Sequence, residues 1–219
     1  MIPVLGAALM LAISTKLPAP RVLALGDSYT IGESVAIAGR WPNQLAHALR
    51  AKGLTVADPE IIAKTGWTTD ELSSAIDAAK PRGPYALVTL LIGVNNQYRG
   101  RSAEQYRTEF AALLQRAVGF AGGDPKRVVV VSIPDWGVTP FAEGRDRGKI
   151  GAEIDHFNAI AREEAKRAGA HFADVTPGSR RAAHEPALVA PDGLHPSAAM
   201  YAQWVGVILP EAEAALQDR

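Results

Sequence analysis

VLALGDSYT, residues 22–30, is the stretch of sequence that decides the fold. Its first part, Val22 to Leu25, is an apolar run that stops abruptly at Gly26. A short apolar run bounded by turn residues is typical of a strand buried in a parallel sheet. Similar runs follow along the chain at Pro59 to Ala63, Tyr85 to Ile92, Arg127 to Ile133 and His171 to Val175.

Longer amphipathic segments separate these strand candidates. Thr68 with Glu71, and Ser102 with Gln105, have the spacing of a capping box ahead of an apolar stripe, which predicts that helices begin there. The remaining helices are predicted at residues 42–53, at 150–168 and from 197 onward. We expect Pro210 to kink or divide the last of them. This alternation predicts an α/β fold whose parallel sheet is covered by helices on both faces.

The composition limits the classes of protein to which the chain can belong. A length of 219 residues, 47% of them apolar, is typical of one self-sufficient globular domain. Lys and Arg total 23 and Asp and Glu also total 23, so no basic excess favours nucleic-acid binding. The absence of cysteine excludes disulfides, a thiolate nucleophile and Cys-rich zinc sites, but it fits reducing and oxidising compartments equally well.

The N-terminal segment is set apart from the rest of the chain. Residues 1–15 carry no charged side chain, and this run is shorter than the ~20 residues needed to span a bilayer. It has the length of a signal-peptide core but lacks the positively charged region that precedes one. We therefore expect residues 1–20 to be an apolar segment outside a single domain of residues 21–219. The protein is periplasmic or secreted if that segment is a signal peptide, and cytoplasmic otherwise.

Two long connections show no helix or strand periodicity, residues 134–149 and 176–196. Both follow predicted strands, so both are expected at the carboxyl edge of the sheet, where open α/β folds bind ligands. Loops of this length in a compact domain are usually functional or disordered. We interpret the charged cluster at the end of the first loop as exposed and mobile; it consists of Arg145, Asp146, Arg147 and Lys149.

Ser28 and a turn near the C-terminus carry the strongest chemical signal. Ser28 directly follows the first strand, a position that presents a hydroxyl at the sheet edge, although an ordinary helix N-cap is a competing interpretation. In Asp192-Gly193-Leu194-His195 a carboxylate precedes a histidine by three residues on a turn bounded by prolines. Such a turn can bring Asp192 onto Nδ1 of His195 and leave Nε2 free to accept a proton from a serine. Ser28, Asp192 and His195 would then form a catalytic triad.

An acyl-transfer enzyme also needs donors for the oxyanion that develops on the substrate. Gly66 lets backbone N–H groups approach a ligand closely, and Asn95 offers a side-chain amide. Each follows a predicted strand, and each is also a common turn residue. Their order along the chain, together with Ser28, Asp192 and His195, favours the functional interpretation.

These motifs resemble those of the SGNH hydrolases, also called the GDSL esterase/lipase family, over about residues 21–209. The resemblance implies that Ser28 is the nucleophile and, through its N–H, an oxyanion donor together with Gly66 and Asn95. It implies that Asp192 and His195 complete the triad. One departure is Asn96, which stands where many members have Asp and puts a local loop contact in question. The family's fold is a flavodoxin-like three-layer αβα sandwich around a parallel sheet, here of five strands, with no metal and no cofactor.

The resemblance leaves the substrate open among small esters, from lipids and thioesters to acetylated sugars. We expect a serine esterase that forms an acyl-enzyme from short-chain or acetyl esters, because the loop at 134–149 is too polar for a deep acyl tunnel. A lysophospholipase or thioesterase for longer chains, and a non-catalytic ligand-binding domain, are the alternatives. The expected substrate contacts, each of which could instead belong to the core, are Tyr29, Trp67, Tyr98 and Trp136.

A metallohydrolase is disfavoured by the spacing of the histidines. The five histidines, at positions 47, 156, 171, 184 and 195, show neither H-x-H nor H-E-x-x-H spacing. We therefore expect no metal site and no cofactor, and a small-molecule ester as the binding partner, with no nucleic acid and no stable membrane span. The sequence leaves the oligomeric state open.

Overall fold

The computed structural model describes residues 18–217. Its centre is a five-stranded sheet in the order β2-β1-β3-β4-β5, and every neighbouring pair is parallel. The strands are β1 (Val22–Gly26), β2 (Glu60–Ala63), β3 (Leu87–Leu91), β4 (Val128–Val131) and β5 (His171–Ala173). Each lies within or beside one of the apolar runs, so the predicted parallel α/β sheet is confirmed.

Helices cover both faces of this sheet and make it the middle of three layers. Helices α2 and α8 pack against each other on one side, and α3, α5 and α6 pack in sequence on the other. The helices are α1 (Ser28–Ile31), α2 (Trp41–Ala51), α3 (Thr69–Ala79), α4 (Val94–Tyr98), α5 (Ala103–Phe120), α6 (Arg147–Ala168), α7 (Thr176–Ser179) and α8 (Ala198–Gln217). The flavodoxin-like αβα sandwich is therefore the observed architecture.

The two predicted capping boxes differ in detail. At the start of α3 the Glu71 carboxylate accepts a hydrogen bond from the Thr68 N–H at 2.9 Å, which completes the reciprocal motif. At the start of α5 Ser102 accepts from the Gln105 N–H at 3.1 Å, but the Gln105 amide donates to Glu109 instead. Both helices begin where the sequence predicts.

One helix begins earlier than expected, and one is not divided at its proline. Helix α6 begins at Arg147 rather than near 150, because the Asp146 side chain caps it by accepting from the Lys149 N–H at 2.9 Å. The segment from Arg147 to Lys149 is thus the first turn of a helix and not part of the preceding loop, and its charged side chains are exposed, as expected. Pro210 does not divide α8, which continues to Gln217. Packing of α8 against α2, β4 and β5 holds the helix together despite the missing N–H.

The structure describes only the end of the N-terminal segment. Of the expected apolar segment, residues 1–17 lie outside the described residues. Between residues 18 and 217 no helix combines the length and the apolar character that crossing a membrane requires.

The sheet determines where the loops meet. Because all five strands are parallel, the chain leaves each of them at the same edge. At that edge Gly26 pairs with Ala63 on one side and with Leu91 on the other. The segments that begin with Asp27, Lys64 and Ile92 therefore start next to one another, and they carry most of the residues proposed from the sequence.

Candidate active site

Ser28 occupies a tight junction between β1 and α1. Asp27 caps the short helix by accepting a hydrogen bond from the Tyr29 N–H at 3.0 Å, and Gly32, in the left-handed region at φ 68°, ends it. Gly26 permits this junction, since a Cβ there would collide with Thr30 and with the Leu91 carbonyl. Only 5% of Ser28 is exposed. The serine thus lies almost fully buried at the sheet edge.

Asp192 and His195 form a hydrogen-bonded pair on the turn before α8. His195 Nδ1 lies 2.7 Å from Asp192 Oδ2. The other carboxylate oxygen, Oδ1, accepts from the backbone N–H groups of Leu194 and His195, each at 2.9 Å. The turn is closed by a hydrogen bond from the Ala190 N–H to the His195 carbonyl at 2.7 Å. This arrangement leaves Nε2 of the imidazole for a different partner.

These contacts fix the charge of Asp192. Partial burial by itself would raise the pKa of the carboxyl group, but hydrogen bonds from Ser34, Leu194 and His195 outweigh it and hold the pKa well below its usual value. Asp192 is therefore ionised at neutral pH, and its negative charge lies next to Nδ1 of His195.

A cavity of about 130 Å³ is lined by residues from several segments of the chain. Ser28, Asn95 and His195 face it from three separate segments of the chain. The remaining lining residues are mostly aromatic or aliphatic, namely Tyr29, Val94, Tyr98, Trp136, Phe141 and Leu194. Of the expected substrate contacts, Tyr29, Tyr98 and Trp136 are among the lining residues and Trp67 is not.

Asn95 and Gly66 lie on adjacent loops. The Asn95 amide donates a hydrogen bond to the Trp67 carbonyl at 2.9 Å, which joins the first turn of α4 to the loop after β2. Gly66 adopts φ 86°, and its carbonyl accepts from the Arg99 guanidinium at 2.6 Å. Gly66 itself does not line the cavity. Among the described residues neither the Ser28 N–H nor the Gly66 N–H has an acceptor, so both can donate to a ligand.

Asn96, the departure from the family pattern, makes the loop contact that the sequence left in question. It is fully buried; its Oδ1 accepts from the Thr69 N–H at 3.1 Å and its Nδ2 donates to Thr69 Oγ1 at 2.6 Å. These two bonds hold the start of α3 against the loop that carries Asn95. Asn96 thus belongs to the scaffold of the site and not to its surface.

Three aromatic rings form one wall of the cavity. Tyr98 lies 5.4 Å from Trp136 between ring centroids and 6.1 Å from Phe141. The indole N–H of Trp136 donates to the Gln97 amide at 2.8 Å, which fixes the orientation of that ring. We refer to Tyr98, Trp136 and Phe141 as the aromatic wall.

Arg145 packs on the aromatic wall. Its guanidinium carbon lies 5.3 Å from the ring centroids of Tyr98 and Trp136 and 5.4 Å from that of Phe141, within cation–π range. The four charged residues of the cluster at 145–149 are exposed, as expected, and Arg145 contacts the three rings from that exposed position. The sequence could not show this packing, since it depends on the path of the loop.

Three residues that line the cavity, Val94, Phe141 and Leu194, were not among the expected site residues. Val94 and Leu194 are neighbours of Asn95 and His195, so their positions could have been inferred from those motifs. Phe141 had only its aromatic character as a signal. The Phe141 N–H donates to the Gly193 carbonyl at 2.9 Å, which fastens the long loop to the turn of His195.

The part of the chain that the structure describes shows no cluster of side chains that suggests a metal site. Between residues 18 and 217, no group of three or more His, Asp or Glu side chains is arranged to hold a metal ion. The candidate site is the cavity that Ser28, Asn95 and His195 line together.

Comparisons with known proteins agree with this fold. Residues 24–203 match the model of the GDSL-like lipase/acylhydrolase family. A comparison with curated protein sequences gives no significant match. Among solved structures, TesA is similar with a TM-score of 0.70 and 19% identity, over 90% of this chain and 99% of TesA.

Two esterases are similar to a comparable extent. The psychrotrophic esterase EstA from Pseudoalteromonas sp. has a TM-score of 0.69 and 16% identity, over 91% of this chain and 100% of EstA. The acetylxylan esterase Axe2 from Geobacillus stearothermophilus has a TM-score of 0.65 and 18% identity, over 91% of this chain and 97% of Axe2. At such low identities these likenesses establish the fold alone.

Proposed function

The chain belongs to the GDSL-like lipase/acylhydrolase family, and on this premise we propose that it is a metal-independent serine ester hydrolase that works through an acyl-enzyme. The observation that carries the proposal is the hydrogen-bonded pair of Asp192 and His195, whose histidine lines the same cavity as Ser28. A serine that shares a cavity with an oriented imidazole is the combination of groups that nucleophilic catalysis requires.

The first half of the reaction forms the acyl-enzyme. Ser28 Oγ attacks the carbonyl carbon of the ester while His195 Nε2 accepts the hydroxyl proton. Asp192, ionised and bonded to Nδ1, stabilises the imidazolium that results. When the tetrahedral intermediate collapses, the bond to the alcohol breaks and His195 donates the proton to the departing oxygen.

The second half releases the acid. A water molecule gives a proton to His195 and attacks the acyl carbon, and the bond to Ser28 Oγ then breaks as the serine recovers its proton. In both halves a negative charge develops on the carbonyl oxygen. The proposed donors to that oxygen are the backbone N–H groups of Ser28 and Gly66 and the amide of Asn95.

The cavity supports a preference for short acyl groups. Its volume of about 130 Å³ is small compared with the ~300–1,000 Å³ of sites for drug-sized ligands. An acetyl or butyryl group fits within that space, whereas a long acyl chain would extend into solvent. The aromatic wall offers flat apolar surfaces of the kind on which sugar rings stack, and the similar protein Axe2 is an acetylxylan esterase. We therefore propose small esters, including acetylated carbohydrates, as the substrate class.

A chain-length series of p-nitrophenyl esters tests this substrate class. We expect kcat/KM to be highest for the shortest acyl groups and then to level off or fall. A deep tunnel would instead give a rise of about fourfold for each methylene buried, from about 0.8 kcal/mol per methylene. An optimum at a long acyl chain would favour a lysophospholipase or thioesterase. Ser28→Ala measured in parallel gives the background, and wild-type activity in that variant would contradict the proposal.

A further inference from the structure

Ser34 holds an unusual backbone conformation directly after the helix that begins with Ser28. Its φ is 62°, in the left-handed region that glycine favours. Lys80, at the end of α3, is the other non-glycine residue with a positive φ in the described part of the chain. A serine in this region is held there by its surroundings, and such residues cluster at functional sites.

The side chain of Ser34 reaches the Asp192–His195 pair. Ser34 Oγ donates to Asp192 Oδ2 at 2.6 Å, and this is the oxygen that also bonds to His195 Nδ1 at 2.7 Å. The other oxygen of Asp192 is occupied by N–H groups of its own turn. Ser34, which precedes Asp192 by 158 residues in the sequence, is therefore a donor to this carboxylate from outside that turn.

The loop of Ser34 is tied back to Ser28. The Glu33 N–H donates to the Ser28 carbonyl at 3.0 Å, and the Glu33 carboxylate accepts from the Thr65 hydroxyl. The Val35 N–H donates to the Gly32 carbonyl at 3.1 Å. These bonds make the path from Ser28 to Ser34 short and rigid. A displacement of the turn that carries His195 would therefore strain the loop that carries Ser28.

Asp192 needs such support because it is not fully buried. About 29% of its side chain is exposed, so water can compete for Oδ2 and the carboxylate can turn away from the imidazole. A fixed hydroxyl on that oxygen excludes water and keeps the carboxylate aligned with Nδ1.

We propose that Ser34 is a positioning residue for catalysis: its hydroxyl fixes Asp192 against His195 and couples the loop of Ser28 to the turn of the histidine. The inference rests on the proposed hydrolase function. It also explains the left-handed backbone, because this conformation places Oγ within reach of Asp192.

Three substitutions separate the hydroxyl from the backbone. Ser34→Gly removes the hydroxyl and relieves the positive φ, Ser34→Ala removes the hydroxyl and keeps the strain, and Ser34→Asn supplies a new donor on a residue that tolerates this region. Lys80→Gly is the matched control, since it relieves the same kind of strain away from the site. Ser28→Ala is the reference for loss of the nucleophile.

The first measurement is hydrolysis of p-nitrophenyl acetate together with the melting temperature. We expect Ser34→Gly and Ser34→Ala to lower kcat about tenfold, the effect of losing a hydrogen bond to a charged group, with KM almost unchanged. Ser34→Asn should recover part of that loss. Ser34→Gly should melt no lower than the wild type, and Lys80→Gly should keep wild-type kcat.

The second measurement is the low-field proton NMR resonance of His195 Nδ1–H, assigned by its loss in His195→Ala. We expect this resonance to shift or broaden in Ser34→Gly and to stay in place in Lys80→Gly. Wild-type kcat and an unchanged resonance in Ser34→Gly would overturn the role of Ser34, as would a loss of kcat that Ser34→Asn does not reduce. Wild-type activity of Ser28→Ala would instead overturn the hydrolase mechanism, and the resonance would still report whether Ser34 supports the pair.

Discussion

The side-chain amide of Asn95 donates a hydrogen bond to the carbonyl oxygen of Trp67 at 2.9 Å. This bond uses one of the two amide hydrogens and fixes the plane of the amide at the cavity. The second hydrogen is left for another acceptor. The contact also joins the loops that follow β2 and β3, so the position of Asn95 depends on the loop that contains Gly66.

Asn95→Ala should lower kcat by roughly 10² to 10³ with little change in KM, because the lost donor acts mainly once negative charge develops on the substrate. Steady-state kinetics with p-nitrophenyl acetate measure both constants. An unchanged kcat would show that Asn95 is not an oxyanion donor and serves only to link its segment to the Trp67 carbonyl.

Asn96→Ala is the contrasting variant for Asn95. It removes the acceptor of the buried Thr69 N–H, whereas Thr69 Oγ1 keeps its bond to Glu109, so we expect a lower melting temperature from a cost of about 1–3 kcal/mol for the unpaired N–H. Thermal unfolding of both variants checks the assignment. A larger loss of stability in Asn95→Ala than in Asn96→Ala would reverse the two roles.

Asp27 should make the stability of the protein depend on pH. Burial raises the pKa of this carboxyl group from 3.8 to about 7, against the hydrogen bond from the Tyr29 N–H that lowers it. Between these two pH values the folded protein keeps a proton that the unfolded chain has lost. The free energy of unfolding contributed by Asp27 therefore falls as the pH rises from about 4 to about 7, by about 1.4 kcal/mol for each unit of difference in pKa.

Asp27→Asn should remove this pH dependence. The lowered pKa of Asp192 has the opposite sign, but its contribution is complete above its usual value of 3.8 and stays constant over this range. Melting temperatures at about pH 5 and about pH 8 are the measurement, and Asp58→Asn, at an exposed position, is the control. If the melting temperature of Asp27→Asn changed with pH as much as that of the wild type, groups other than Asp27 would cause the pH dependence.

Phe141→Ala should shift the acyl preference toward longer chains. Phe141 is 40% exposed and lines the cavity, so its removal enlarges the cavity without opening the core. The chain-length series is repeated with this variant. Ile37→Ala, at a position 66% exposed and away from the cavity lining, serves as the control. An unchanged profile in Phe141→Ala would place the acyl group on a different side of the cavity.

The sequence predicts best what depends on local spacing. The strands and the starts of α3 and α5 follow from periodicity and capping residues, and the contact of Asp192 with His195 needs only a turn of four residues. Parallel strands then bring Ser28 and Asn95 to one edge without further information. These are the parts of the site for which sequence reasoning was sufficient.

Other parts of the site depend on loop paths that no local pattern encodes. The bond from Ser34 to Asp192 requires a positive φ at a serine, and nothing in the sequence predicts that conformation. The packing of Arg145 on the aromatic wall depends on a loop without periodicity, and the cap at Asp146 lies at the end of that loop. Trp67 was expected to contact substrate or to belong to the core; its side chain packs against the core and does not line the cavity.

The central claim is that Ser28 is a nucleophile, and covalent labelling with a fluorophosphonate probe tests it most directly. Intact mass and peptide mapping of the folded wild-type protein should show one adduct, on the peptide that contains Ser28, and Ser28→Ala should remain unlabelled. His195→Ala should react far more slowly, since the imidazole that accepts the serine proton is missing. Failure of the folded wild-type protein to react, or labelling that persists in Ser28→Ala, would contradict the account.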